Sequence, residues 1–258
     1  INCAARVGGI LANSAFPVEF LVENIKMQNN LLLASKKFNI KKFIFLGSSC
    51  VYPREAKTPI NEDALLSGKL EKTNEAYALG KITGIKLSEY LFNENGLDIV
   101  CLMPTNVYGV NDNFDQFSSH VIPGMIQKFL DSKRKNKTTV ELLGTGKPLR
   151  EFIYNDDLAN AILLVMNINK KKLIKITKGN FPILNVGTGK NISIKKLSEI
   201  IKKEVQFKGK IKFNKKFPDG TFKKNLNSYK IKKLGWKPLI TLQKGIANVV
   251  KSRRDNNL

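Results

Sequence analysis

Long apolar runs are missing from this chain. The longest, such as Ala161 to Met166 and Ile99 to Met103, fall well short of the roughly 18 to 20 residues needed to cross a bilayer, which excludes a membrane-spanning helix. The chain opens at Ile1 with INCAARVGGI, neither a basic stretch nor a long apolar one, so it does not read as a signal peptide. It reads as a chain cut into from its N-terminal side. Cysteine is scarce. Three residues, an odd number without paired spacing, argue against a disulfide framework and fit a reducing cytoplasm. Histidine is scarcer still, His120 being the only one, which excludes a zinc-type Cys/His cluster and leaves no metal site to expect. No G-x-G-x-x-G or G-x-x-G-x-x-G is present, because the pairs Gly144/Gly146 and Gly187/Gly189 lack the third glycine and the strand-to-helix setting. Internal repeats are absent as well.

What is there is an ordinary globular composition. At 258 residues and 42% hydrophobic content, the chain can bury a sizeable core as one large domain or two smaller ones. Acidic residues are few, 21 against 44 Lys and Arg, for a formal charge of +23. Such a balance raises the possibility of a polyanion partner. The excess, however, is nearly all Lys, is spread over the chain and comes with many Asn and Ile, the pattern of an AT-rich genome. No nucleic-acid partner is therefore expected, and part of the excess remains available to attract an anionic substrate.

Periodicity gives the organisation. KFIFLG (Lys42 to Gly47) and Ile99 to Met103 are short apolar runs suited to strands buried on both faces of a parallel sheet. Between them, Asn74 to Asn93 places Ala78, Ile82, Ile85 and Leu91 at helical spacing. Helices are also predicted over Pro17 to Lys37, Val121 to Lys133 and Asp156 to Asn167. This alternation implies βαβ units in an α/β fold with a doubly wound, Rossmann-like parallel sheet. After about Phe117 the pattern is mixed, with short strands near Thr139 to Leu143 and Ile211 to Phe213 and an amphipathic helix from Ser193 to Lys203, which suggests a smaller α/β substrate domain. The division expected is 1–117 for a dinucleotide-binding domain and 118–258 mainly for the substrate domain, with segments around 151–188 returning to the first. The Lys-rich stretches Ser132 to Lys137 and Lys170 to Lys172 read as solvated loops.

The chemistry begins with Tyr77 and Lys81, four apart and so on one face of a helix. A free phenol ionises near pH 10, and a neighbouring ammonium stabilises its phenolate. The pair alone says little, since Tyr229 and Lys233 repeat the spacing. What distinguishes the first is Leu46-Gly47-Ser48-Ser49-Cys50, which closes the preceding strand. Ligands of open parallel sheets bind beyond the carboxyl ends of strands, where hydroxyls can meet a substrate oxygen. Plain strand termination by small polar residues is the competing reading of Ser48 and Ser49. Likewise Cys50 can be an acid/base group or a small hydrophobe, as Cys101 in its strand is expected to be.

The runs LGSSCVYP, NEAYALGKITGIKL, MPTNVYG, SSHVIP and PLREFIYNDDLA, in this order and spacing, resemble the GDP-L-fucose synthase family of extended short-chain dehydrogenases. The likeness extends from about Ala4 to LGWKP at Leu234 to Pro238. It implies epimerisation at C3 and C5 of GDP-4-keto-6-deoxymannose followed by NADPH reduction of the 4-ketone. Tyr77 would donate a proton to the C4 oxygen and Ser48 would hydrogen-bond the same atom. Lys81 would hold the nicotinamide ribose and lower the Tyr77 pKa. Cys50 and His120 would exchange protons at C3 and C5. Leu46, Gly47, Ser48, Ser49, Pro104, Thr105, Asn106, Val107 and His120 would line the NADP(H) pocket. Lys128, Arg150 and Asp219 would contact the GDP-sugar, together with Leu143, where relatives tend to place a Trp.

Family members also carry a pyrophosphate loop at their first strand, and Ile1 to Ala5 resembles the tail of the fourth. On the order of 60 residues, about two βαβ units, therefore precede this stretch in the family pattern, and these residues alone are expected to bind NADP(H) poorly and not to turn over. The likeness further implies a homodimer. Three other readings stand beside it: another nucleotide-sugar epimerase or dehydratase of the same fold, a non-catalytic interaction protein, and a polyanion-binding module.

Overall fold

The structure is a computed structural model and describes residues 1–217, 219 and 221–255. In chain order the elements are α1 (Ile10–Ala15), α2 (Pro17–Lys37), β1 (Phe43–Leu46), α3 (Glu75–Asn95), β2 (Ile99–Pro104), β3 (Asn106–Tyr108) and α4 (Val121–Arg134). Then come β4 (Thr139–Leu143), β5 (Leu149–Tyr154), α5 (Asn155–Met166), α6 (Lys170–Ile176), β6 (Ile183–Val186) and β7 (Asn191–Ser193). The chain closes with α7 (Ile194–Val205), β8 (Lys210–Asn214), β9 (Lys223–Lys224), α8 (Tyr229–Lys233) and α9 (Leu242–Asp255).

The central sheet is parallel, in the order β1-β2-β6. Phe43 faces Ile99 and Leu46 faces Leu102 across the first pair, and Cys101 faces Ile183 across the second. On the open side of β1, Asn2 forms a parallel bridge to Phe45. Because successive side chains point to opposite faces of a strand, this sheet has two cores. Phe43, Phe45, Ile99, Cys101 and Met103 pack with Leu32 of α2 and with Ile82, Ile85 and Phe92 of α3. Ile44, Val100 and Leu102 pack with Leu158, Ala161 and Val165 of α5 and with Trp236. Helices thus cover both faces, the doubly wound arrangement that continuous apolar strands require.

A third core, Ile126, Phe129, Val140, Leu197, Ile201, Phe207 and Val249 among others, sits under α4, α7 and α9. Beside it β4 pairs with β8 in parallel. The two regions meet at β5, which pairs with β3 and β9 in parallel and with β7 antiparallel.

The helix ends follow local chemistry. Pro17 starts α2 at a position where its missing N–H costs nothing. Gly96 ends α3 in the left-handed region at φ 67°, which glycine adopts without steric penalty. Ser193 caps α7 by accepting from the Lys196 N–H at 3.1 Å.

One expected loop is partly and another wholly helical, residues 135–137 remaining outside the helix. Ser132 to Arg134 form the last turn of α4. Lys170 to Lys172 open α6, whose N-cap Asn169 accepts from the Lys172 N–H; the seven-residue helix is too short to show a period, and buried Leu173 anchors it to the α5 side of the sheet. Among the described residues no helix is long and apolar enough to cross a membrane.

Glu151 holds the junction together. It is fully buried, and one carboxylate oxygen accepts from the Gly189 N–H at 2.5 Å while the other accepts from the Leu226 N–H at 2.8 Å. Its main-chain carbonyl accepts from the Thr105 hydroxyl and the Asn106 amide. Glu151→Gln would turn an NH2 group towards a backbone N–H and leave a buried donor unpaired, at a cost of about 1–3 kcal/mol. In urea titration the midpoint should fall with an unchanged slope; a native midpoint would show that the carboxylate does not hold these loops.

Candidate active site

The site is built where the chain leaves β1. The Gly47 N–H donates to the Leu102 carbonyl at 2.8 Å, and a Cβ on Gly47 would lie 2.3 Å from the Met103 sulfur, so any larger residue would have to displace the buried Met103 side chain. Ser48 then caps a short helical turn, Ser49–Val51, its Oγ accepting from the Cys50 N–H at 3.2 Å. This turn packs against α3, which presents Tyr77.

Tyr77 is half-buried beside Ser48 and Cys50. Burial raises the phenol pKa well above 10, the nearby Cys50 sulfur adds to the rise, and a hydrogen bond with the Ser48 hydroxyl works against it. One turn on, Lys81 is buried. Its Nζ donates to the Leu46 carbonyl at 3.0 Å and lies 6.0 Å from the Tyr77 ring centre. Burial pulls its ammonium down to about 8. The Lys81 ammonium is directed at the strand end, and burial is the leading influence on the Tyr77 phenol.

Cys50 is half-buried and accepts a hydrogen bond from the Asn74 side-chain amide at 3.1 Å. Asn74 lies within NEAYALGK and carried no expected role, although its position three residues before Tyr77 was a signal in plain view. Arg150 of β5 comes close enough for Cys50, Glu71 and Asp219 to act on its charge, while burial works to neutralise it. Its Nη1 donates to the Leu149 and Thr221 carbonyls, and the Thr221 hydroxyl hydrogen-bonds buried Glu71 at 3.1 Å.

Pro104, Thr105, Asn106 and Val107 follow β2 into β3, next to the end of β1. The remaining expected residues are more scattered. Asp219 accepts from the Thr145 N–H and hydroxyl, which pins the turn after Leu143, itself exposed. Lys128 lies on α4. His120 is exposed at the start of α4, its charge acting on Asp112, and among the described residues no hydrogen bond joins it to Cys50 or Tyr77. Tyr229 is exposed on α8 with Lys233 over its ring.

A glycine-led strand exit and a Ser–Tyr–Lys set at the carboxyl edge of a parallel sheet, with a half-buried arginine within electrostatic reach, define an enzyme of the short-chain dehydrogenase kind. The chain belongs to the NAD dependent epimerase/dehydratase family, whose pattern matches residues 1–187. It is 43% identical over 252 residues to the probable GDP-L-fucose synthase 1 of Oryza sativa subsp. japonica, covering 97% of this chain and 74% of that protein. Among solved structures it resembles the GDP-6-OMe-4-keto-L-xylo-heptose reductase of C. jejuni, at 33% identity and a TM-score of 0.91 over 99% of this chain and 82% of that one. It also resembles a GDP-L-fucose synthetase of Naegleria fowleri bound to NADP, at 27% identity and a TM-score of 0.84 over 98% and 76% of the two chains.

The Lys81 environment carries a pH signature. The unfolded side chain keeps its ordinary value of 10.5 against about 8 in the fold, so between those values the unfolded state binds more protons and stability rises with pH. The gain is at most about 3 kcal/mol. Subtracting the urea stability curve of Lys81→Met from that of the native protein should leave this rise between pH 8 and 10.5. A flat difference would mean that the ammonium is not desolvated.

Proposed function

We propose that the protein is a GDP-L-fucose synthase, exchanging configuration at C3 and C5 of GDP-4-keto-6-deoxymannose and then reducing the 4-ketone with NADPH. The observation that carries this reading is Cys50 set beside the Ser48–Tyr77 pair, within electrostatic reach of Arg150. A reductase alone needs hydroxyls at the ketone oxygen. A thiol in the same place adds a group able to take a proton from carbon.

The substrate's own chemistry orders the steps. The C4 carbonyl acidifies the hydrogens on C3 and C5, and reduction removes that activation. Cys50 takes a proton from one carbon as the electron pair moves onto the C4 oxygen, where Ser48 and Tyr77 donate hydrogen bonds. His120 serves as the second acid/base group, which requires α4's start to approach the sugar. When bound, NADPH supplies the hydride to C4. Tyr77 then hands its proton to the C4 oxygen, and its raised pKa keeps that proton in place at neutral pH.

The wall for the cofactor comprises Leu46 to Ser49 and Pro104 to Val107. Its fit to the ribose rests on Lys81, whose buried ammonium uses one hydrogen bond, to Leu46, of the three it can donate. Arg150 faces the diphosphate, whose charge replaces the water its guanidinium has lost. Lys128, Leu143 and Asp219 complete the GDP-sugar contacts. In this reading residues 1–117 serve the cofactor and 118–258 mainly the substrate, with 151–188 shared. Preference for NADP and a cytoplasmic setting follow the same resemblance. So does a homodimer, for which α2 and α3 offer exposed Val18, Val22, Leu33, Leu79 and Tyr90.

The C. jejuni relative, a reductase of another GDP-4-keto sugar by its name, favours a second reading, a related nucleotide-sugar enzyme. Assay with GDP-4-keto-6-deoxymannose separates the two, because only the first oxidises NADPH with that compound to give GDP-L-fucose.

Tyr77→Phe should lower the reductase rate by about a hundredfold or more without loss of fold. Near-normal NADPH oxidation with the 4-keto sugar would remove Tyr77 from its role. Cys50→Ser and His120→Gln should block epimerisation and still permit reduction, so that a mis-configured reduced sugar accumulates. Native rates of hydrogen exchange at C3 and C5 in heavy water for both variants would overturn the acid/base assignment.

A further inference from the structure

Asn74 ends the three-residue turn Lys72–Asn74 that leads into α3, three residues before Tyr77. Its Nδ2 donates to the Cys50 Sγ at 3.1 Å, while its Oδ1 is buried with no hydrogen-bond partner. An orphaned buried acceptor is uncommon in a native fold and is unfavourable unless the group is held for another purpose. The amide therefore gives up one of its polar atoms in order to aim the other at sulfur. Amide N–H groups suit a thiolate, which is acceptor-only, and a hydrogen bond to the charged form favours that form. A half-turn of the same amide would bring Oδ1 to the sulfur, where it can accept from S–H. One side chain thus serves both protonation states of a group whose task is to take up and return a proton.

We propose that Asn74 is a positioning residue for Cys50, its side-chain amide holding the sulfur towards the sugar and stabilising the thiolate that removes the proton. This rests on the reading of Cys50 as an acid/base group. Tyr77 from α3 and Arg150 from β5 both lie within electrostatic reach of Cys50. Arg150 is the group assigned to the diphosphate. Asn74 is neutral and stays with the sulfur whether or not the substrate's charge engages Arg150.

The test is the pH profile of iodoacetamide alkylation at Cys50, followed by mass spectrometry of the peptide that contains it. The sulfur–carbon bond forms as iodide leaves, and only the thiolate reacts at an appreciable rate. Asn74→Ala should slow alkylation at neutral pH by about tenfold, the scale of one charge-assisted hydrogen bond, and move the half-maximal rate to higher pH. Asn74→Asp keeps the side-chain shape but sets an anion beside the sulfur, so it should be slower than Asn74→Ala. A purely structural role predicts the reverse order, since Asp is a favourable residue at the start of a helix and Ala is not. Native profiles in both variants, or Asp faster than Ala, would overturn the proposal. Hydrogen exchange at C3 and C5 should fall in step with alkylation. If Cys50→Ser exchanges those hydrogens at the native rate, the reading of Cys50 fails, whereas the coupling of Asn74 to its sulfur is decided by the alkylation series alone.

Discussion

The candidate site depends on how tightly the chain turns at the end of β1. Gly47 lies against the Met103 sulfur of the next strand, and its N–H continues the ladder to Leu102. A Cβ there would have to push the Met103 side chain aside, and with glycine in place β1 and β2 stay in register up to the exit. Because they do, Ser48 leaves the sheet at its carboxyl edge and caps the next turn with its own hydroxyl. Ser48 and Cys50 are thereby brought to Tyr77 by backbone geometry rather than by contacts among themselves, and two buried strands are a stiffer support than any surface loop.

Around this exit, burial does most of the electrostatic tuning. The Tyr77 phenol, the Lys81 ammonium and the Arg150 guanidinium are each shifted towards their uncharged forms, with desolvation the leading cause in all three. For a proton donor this is favourable, since the phenol stays protonated. The two cations are held with spare donors in a dry place, which strengthens their attraction to an anionic ligand. Backbone carbonyls take part of that role: Leu46 accepts from Lys81, and Thr221 from Arg150.

The substrate side is joined to this edge through β5. Arg150 and Glu151 are neighbours on one strand with opposite tasks. Arg150 faces Cys50, Glu71 and Asp219, while Glu151 turns inward to receive the N–H groups of Gly189 and Leu226. Glu71 sits in the segment that leads into α3 and hydrogen-bonds Thr221, so the segment carrying Arg150's carbonyl partner is tied to the element that carries Tyr77.

The sequence by itself determined the strands at Phe43–Leu46 and Ile99–Pro104 and the helices α2, α3 and α4, because runs buried on both faces and long amphipathic stretches leave a period that local composition records. It also marked Ser48, Cys50, Tyr77 and Lys81, which lie close along the chain and near a strand end. Of the short elements, β4 and β8 were legible, whereas β5 and α6 were not. Six-residue β5 is half a site and half a core, and α6 spans seven residues of mostly lysine and isoleucine, too few to show a period. Only the tertiary structure decided that Asn74 meets Cys50 across 24 residues, that Arg150 comes within reach of the same sulfur, and that burial is the leading influence on the Tyr77 phenol. Those outcomes depend on distances between distant segments and on how much water is excluded where they meet, quantities that exist only once the chain has packed.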